Sequence, residues 1–272
     1  MIITLLASTW AAETPKDSYI NNPESAWVLE PRYELGILLP VYNQIQLGKD
    51  GTNFSYVEDA GQDNLFAYQR LQLDFRYKGR HSFIFMKQPL DLKTTRQTEQ
   101  ELTIDYAVFP QGTPVEYRFG FDYYRASYLF DLSAKSNVEL SIGCSLQIRN
   151  ATYDFTSLNG EIQNTVRDIG PVPLLKVRGR WDLEKTWWEF EADGAYAPIK
   201  YLNGDVSDVV GALLDTSIKG GFYLNRGLDT FISLRYVGGG AEGTDSDPDP
   251  NKDGFVANWV HFGALSIGFL IR

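Results

Sequence analysis

From Trp27 onward, apolar and polar residues alternate with a period of two. Trp27, Leu29, Tyr33, Leu35, Ile37 and Leu39 are interleaved with Glu30, Arg32, Glu34 and Gly36. The alternation returns at Leu71, Leu73, Phe75 and Tyr77 against Arg70, Gln72, Asp74 and Arg76. It is cleanest at Val138, Leu140, Ile142, Cys144, Leu146 and Ile148 against Glu139, Ser141, Ser145, Gln147 and Arg149. Side chains alternate faces along a strand, so each run has one apolar and one polar face. No segment carries a persuasive period of 3.6. The chain reads as all-β.

Two kinds of connection separate these runs. Lys78-Gly79-Arg80, Ser133-Ala134-Lys135, Glu184-Lys185-Thr186 and Asn225-Arg226-Gly227 are tight turns. Between them lie longer polar stretches at 41–64, 93–114, 156–170, 202–208 and 239–257. The order predicts ten strands, at 27–40, 65–78, 81–93, 115–132, 137–154, 171–183, 187–200, 209–224, 228–238 and 258–271. Leu102, Ile104 and Tyr106 form a further alternating run, expected to pair with the start of the 115–132 strand as an outer hairpin. If that run belongs to the wall instead, the count becomes twelve. Pro171, Pro173 and Pro198 fall at inferred outer strand ends, where proline should end ladder pairing.

An even strand number, short turns on one side and long loops on the other predict a closed antiparallel up-and-down transmembrane β-barrel, with turns and termini on the periplasmic side. A membrane-crossing strand needs about 9–11 residues, and nearly every run reaches that. Trp27, Tyr77, Trp181, Trp187, Trp188, Tyr223, Tyr236 and Trp259 cluster towards strand ends, as interfacial aromatic girdles do. The last segment, Val260 to Arg272, resembles the closing strand of bacterial outer-membrane β-barrel proteins, with its last aromatic at Phe269. The resemblance covers residues 27–272 as a class of architecture and implies an integral outer-membrane location, among lipid and lipopolysaccharide. A soluble periplasmic barrel holding an apolar ligand would reverse the faces. The side of the wall that carries Val138, Leu140, Ile142, Leu146 and Ile148 separates the two.

Composition narrows the chemistry. The 272 residues carry 25 Lys+Arg against 35 Asp+Glu, a formal charge of −10 that disfavours nucleic acid as a partner. One Cys excludes an internal disulfide, and two His leave little for triad or metal chemistry. Residues 1–12 read as the remnant of a signal peptide and 13–26 as a periplasmic lead-in.

With the polar faces turned inward, the lumen collects Arg70, Asp74, Arg76, Arg149, Lys176, Arg178, Arg180, Glu189, Glu191, Asp193, Asp215, Lys219 and Arg235. Glu30, Arg32, Glu34, Arg125, Asp131 and Glu139 join them. Eight strands leave room only for side chains and ten add little, so these charges should pair into a plug that stiffens the barrel. In the loop 245–254, Asp247, Asp249, Asn251 and Asp253 precede Gly254 as in the first half of a calcium loop, without its final Glu. They are candidates for weak Ca²⁺ binding; no other cofactor is expected. His81 beside a periplasmic turn and His261 on an outward face offer no base beside a nucleophile, so no enzyme is expected. The omptin proteases, also ten-stranded, have a His–Asp pair and paired aspartates without convincing counterpart here. Gly238-Gly239-Gly240 reads as a flexible exit from the ninth strand. The expected role is surface binding, structural anchoring or limited transport of a small solute, with a barrel enzyme acting on lipid or peptide as the competitor.

Overall fold

The computed structural model describes residues 25–133, 137–198, 209–225, 227–244 and 252–272, and every regular element in them is a strand. In chain order they are β1 (Trp27–Leu47), β2 (Phe54–Ser55), β3 (Phe66–Tyr77), β4 (His81–Gln88), β5 (Asp91–Gln97), β6 (Leu102–Ile104) and β7 (Ala107–Phe109). There follow β8 (Pro114–Asp131), β9 (Val138–Ser157), β10 (Gln163–Asp182), β11 (Thr186–Pro198), β12 (Val210–Asn225), β13 (Leu228–Thr244) and β14 (Phe255–Ile271). Each wall strand pairs antiparallel with the next, and β14 returns to β1 from Arg32↔Leu270 to Leu47↔Val256, which closes the sheet. Along β8, β4 pairs the inner half and β5 the outer half, so the two share one place in the wall. With β2 only a short rung on β1, the wall is a ten-strand closed barrel.

The two faces of the strands decide which solvent each meets. Leu140, Ile142, Leu146 and Ile148 stand about half exposed on the outside, with Leu35, Ile37, Ile218, Ile232 and Ile267 around the same belt. Inside, Arg32, Asp74, Arg178, Glu189 and Lys219 are buried. Water on the outside would leave that apolar belt exposed, far beyond what soluble surfaces carry. A bilayer removes the conflict, because the closed ladder also leaves no unpaired backbone edge to the lipid. The soluble-barrel reading is overturned by this orientation.

Several boundaries differ from those expected. The wall strands β1, β9, β10, β13 and β14 run beyond the expected outer ends, because their outward faces turn polar there while pairing continues: Asn150, Thr152 and Asp154 follow Ile148 on β9. The stretch 156–170 is therefore not a long loop; β9 and β10 pair up to Thr156↔Gln163 around a short turn. Leu102–Ile104 pairs with Ala107–Phe109 and not with β8, and it adds no strand to the wall. Pro171 and Pro173 lie within the β9–β10 ladder, opposite Ile148 and Leu146, and do not end it. Among the described residues, the ladder that stops early is β10–β11: it runs from Asp182↔Trp187 only to Leu175↔Gly194, although β11 stays paired to β12 as far as Pro198↔Val210. Trp187 and Tyr223 are buried inside and belong to no girdle. The leader and lead-in expected at 1–12 and 13–26 lie outside the described residues apart from Ser25 and Ala26, as do the loop 202–208 and the turn residues 134–136.

Candidate functional site

The inner half of the lumen is filled by ion pairs that cross the barrel. Lys176, Arg178 and Arg180 on β10 stand opposite Asp193, Glu191 and Glu189 on β11, as the alternation demands. Lys176 takes its opposite number at hydrogen-bond distance, with Nζ 2.7 Å from Asp193 Oδ2, and Arg180 lies 3.6 Å from Glu189. Arg178 reaches instead to Asp74 on β3 and Glu139 on β9, at 2.6 Å each, and donates to Ser82 Oγ at 2.9 Å. Glu189 takes Arg32 from β1 at 2.6 Å and Lys219 from β12 at 2.9 Å; Lys219 also holds Glu191 at 2.5 Å. Arg76 bridges Glu30 and Glu139. Higher up, Asp215 joins Arg125 and Arg235, and Arg125 also meets Asp193 at 2.8 Å.

Two expected lumen charges serve other ends: Asp131 accepts from the backbone N–H groups of Ser133 and Leu140 at the inner turn, and Glu34 accepts from Ser266 Oγ. Arg70 is buried and donates to Gln72 Oε1 at 3.1 Å. Below the network, Arg180 stacks its guanidinium 4.3 Å from the Trp187 ring, which packs with Tyr223, Phe231 and Leu270 as an apolar base. Buried charges tolerate such a place only when paired, and nearly every one here has an opposite charge within reach.

The outer half is built differently. On β8 the lumen-facing residues change from Asp131, Ser127 and Arg125 to Tyr123, Phe121, Phe119, Tyr117 and Val115. Chain segments from the connections fold in to meet them. Phe54 stacks on Tyr117 with centroids 5.0 Å apart, and Tyr56 meets Phe119 at 5.5 Å and Phe155 at 5.7 Å. Leu102, Ile104 and Phe109 of the β6–β7 hairpin are buried in the same cluster. The hairpin is tied down by Thr52 N–H to Thr103 O at 2.8 Å and Asp105 N–H to Leu47 O at 3.0 Å. These connections, expected to be polar loops, form an aromatic cap.

Above the plug, and reaching up beside the aromatic cluster as far as Gly243 and Gly254, lies a cavity of about 740 Å³. Phe119 and Phe121 of β8 border it, as do Phe262 of β14 and Ala195, Gly211, Val237 and Gly239 of β11 to β13. Where β11 to β13 carry glycine and alanine on the lumen face, no side chain fills the lumen, and the space is what they leave. Its polar boundary includes Tyr123, Gln88, Gln147, Arg125, Arg149 and Arg235. Sequence reasoning missed this cavity. The signal was the glycine run 238–240, read as a flexible exit, together with the switch of β8's inner face from charge to aromatic. Gly238–Gly240 in fact sit inside β13, paired to both neighbours.

Of the calcium-loop candidates, Asp247, Asp249 and Asn251 lie outside the described residues. Asp253 accepts from the backbone N–H groups of Lys49 at 2.7 Å and Phe255 at 2.8 Å, and these bonds hold its carboxyl below the usual range. It ties the last connection to the β1 end. His81 Nδ1 lies 2.9 Å from the Tyr128 hydroxyl, and His261 Nδ1 lies 2.6 Å from that of Tyr236.

No protein-family model matches the chain, and no curated protein matches its sequence. Among solved structures it is similar to the outer membrane protease OmpT from Escherichia coli, at 11% identity and a TM-score of 0.46 over 90% of this chain and 96% of that one. It is also similar to Ail of Yersinia pestis, at 12% identity and 0.32 over 89% and 98%, and to a FadL homologue of Pseudomonas aeruginosa, at 7% and 0.37 over 89% and 90%. The wall itself carries the assignment: a closed antiparallel barrel, apolar outside and charged inside, is an integral outer-membrane barrel.

Proposed function

We propose that this barrel binds a small, largely apolar molecule in the outer half of its lumen, and that it is not an open pore. One observation carries the reading: a cavity of about 740 Å³ lies above the charged plug, walled largely by apolar and glycine residues. That volume falls in the range of small-molecule sites, about 300–1,000 Å³, and such sites combine apolar walls with a few placed polar groups. Among the described residues, none that lines it is Ser, Thr, Cys, His, Asp, Glu or Lys. Nucleophilic and acid–base chemistry draw mostly on those types, and the two tyrosines of the lining, Tyr68 and Tyr123, have no base beside them in it, so the cavity suits holding a ligand better than transforming one. The lipids around the wall are then the barrel's immediate partners.

Gly170 offers a direct test. It lines the cavity, and a Cβ added there would meet nothing within 4 Å. Gly170→Phe should fill the space without disturbing the wall. Equilibrium binding of cis-parinaric acid, a fluorescent single-chain carboxylate, should fall by about tenfold or more, since the probe forfeits much of its apolar burial. Equal binding by both proteins would place the probe elsewhere and defeat the reading.

A further inference from the structure

We infer that the early end of the β10–β11 ladder is a lateral doorway, through which a single-chain anionic amphiphile passes from the outer leaflet into the cavity. The inference rests on the reading of that cavity as a ligand site. Its first support is the backbone. Pairing stops at Leu175↔Gly194, so the next rungs, Leu174 opposite Ala195 and Pro173 opposite Tyr196, are unmade. Pro171 and Pro173 stand on alternate residues of β10, so both missing N–H donors would point at one neighbour. The β9 ladder runs through both prolines intact, which leaves β11 as the side that lacks them.

The second support is the cavity's own boundary. It touches Gln147 and Ala195, on the lumen face, and also Leu146 and Pro173, whose side chains are on the lipid face. The cavity's lining thus includes residues of both faces on the strands that flank the unmade rungs. Outside the gap stand the most exposed apolar side chains of this region, Leu175 at 74% and Tyr196 at 75%. The gap lies at the outer rim of the apolar belt, since above Leu146 and Ile148 the outward face of β9 becomes polar. It therefore opens to lipid, near the headgroup level of the outer leaflet.

The ligand class follows from what waits inside. Arg125, Arg149 and Arg235 line the cavity, Arg125 and Arg235 at the top of the plug where they also pair with Asp215. The Tyr123 hydroxyl, in a residue 2% exposed, and Arg235 Nε have no hydrogen-bond partner. An anionic headgroup would complete both while its chain occupies the apolar space, and arginine suits a carboxylate or phosphate there.

The test staples the doorway. In a Cys144→Ser background, Pro173→Cys with Tyr196→Cys is closed by a short, cleavable thiol cross-linker. Leu175→Cys with Gly194→Cys, one made rung below, serves as the control staple. Barrels in vesicles receive cis-parinaric acid already dissolved in the bilayer, and the probe that co-purifies with the barrel is measured over time. The upper staple should slow loading by about tenfold or more, and cleaving it should restore the rate; the control should load as the unstapled protein does. Unchanged loading with the upper staple verified by mass, or equal slowing by both, overturns the doorway while the cavity stands. No bound probe in the unstapled barrel removes the cavity reading and the doorway with it.

Discussion

Arg178 shows what a single lumen residue does here. Its guanidinium meets Asp74, Glu139 and Ser82 in a fully buried place, so removing it takes the nearest cation from two carboxylates, of which Glu139 keeps Arg76 and Asp74 only Arg32 at 4.0 Å. Arg178→Met should destabilise the barrel by about 3–5 kcal/mol, the cost of breaking a buried pair from one side. Urea unfolding in detergent micelles, followed by the gel shift between folded and heated forms, measures it; a change under 1 kcal/mol, roughly the exposed-pair range, would show the network to be solvated. On the opposite face, Ile142→Arg places charge in hydrocarbon and should cost about 2–4 kcal/mol in lipid. Both residues were legible in the sequence, because a period of two fixes which face each takes. The partners were not. Arg32 and Glu189 lie 157 positions apart, and their meeting depends on how the closed wall sets strands across the lumen. Alternation says inward; it does not say toward whom.

At the scale of elements, the strands were recovered and their outer extensions were not. Extension depends on backbone pairing, which survives where the outward face turns polar, so the periodic apolar signal ends before the strand does. The β6–β7 hairpin was mistaken for a partner of β8 for a related reason: three alternating residues identify a strand but not its mate. Its role is to carry Leu102, Ile104 and Phe109 into the cap. Phe109→Ala should cost about 3–5 kcal/mol within that cluster, and the loss should stay local because the hairpin forms a sheet of its own, outside the wall ladder. Limited proteolysis should then cut within 98–113 while the unheated barrel keeps its fast gel mobility. Loss of that mobility would mean that the cap is part of the barrel's global unfolding unit.

For the whole molecule, the order of materials along the axis bears on what can pass. Among the described residues, an aromatic cluster fills part of the outer half, the cavity lies beside it, paired charges fill the inner half, and Trp187, Tyr223, Phe231 and Leu270 close the base. The charged plug was legible because ten strands leave little interior room and the inward residues carry both signs. The cavity was not, since it arises from glycines that contribute no pattern of their own. A solute crossing end to end would have to break several buried pairs, each costly to separate in a dry lumen. In planar bilayers the barrel should therefore show little or no steady current, and a porin-sized conductance would refute the plug. Arg32→Ala combined with Glu189→Ala removes both ends of one cross-lumen pair, at the level where Lys219 and Arg180 also converge. It should raise the ion current above wild type, because the space vacated is large and still lined by charge. Gly170→Phe, which fills only the cavity above, should leave the current as it was. That difference assigns ion closure to the inner half and ligand binding to the outer one.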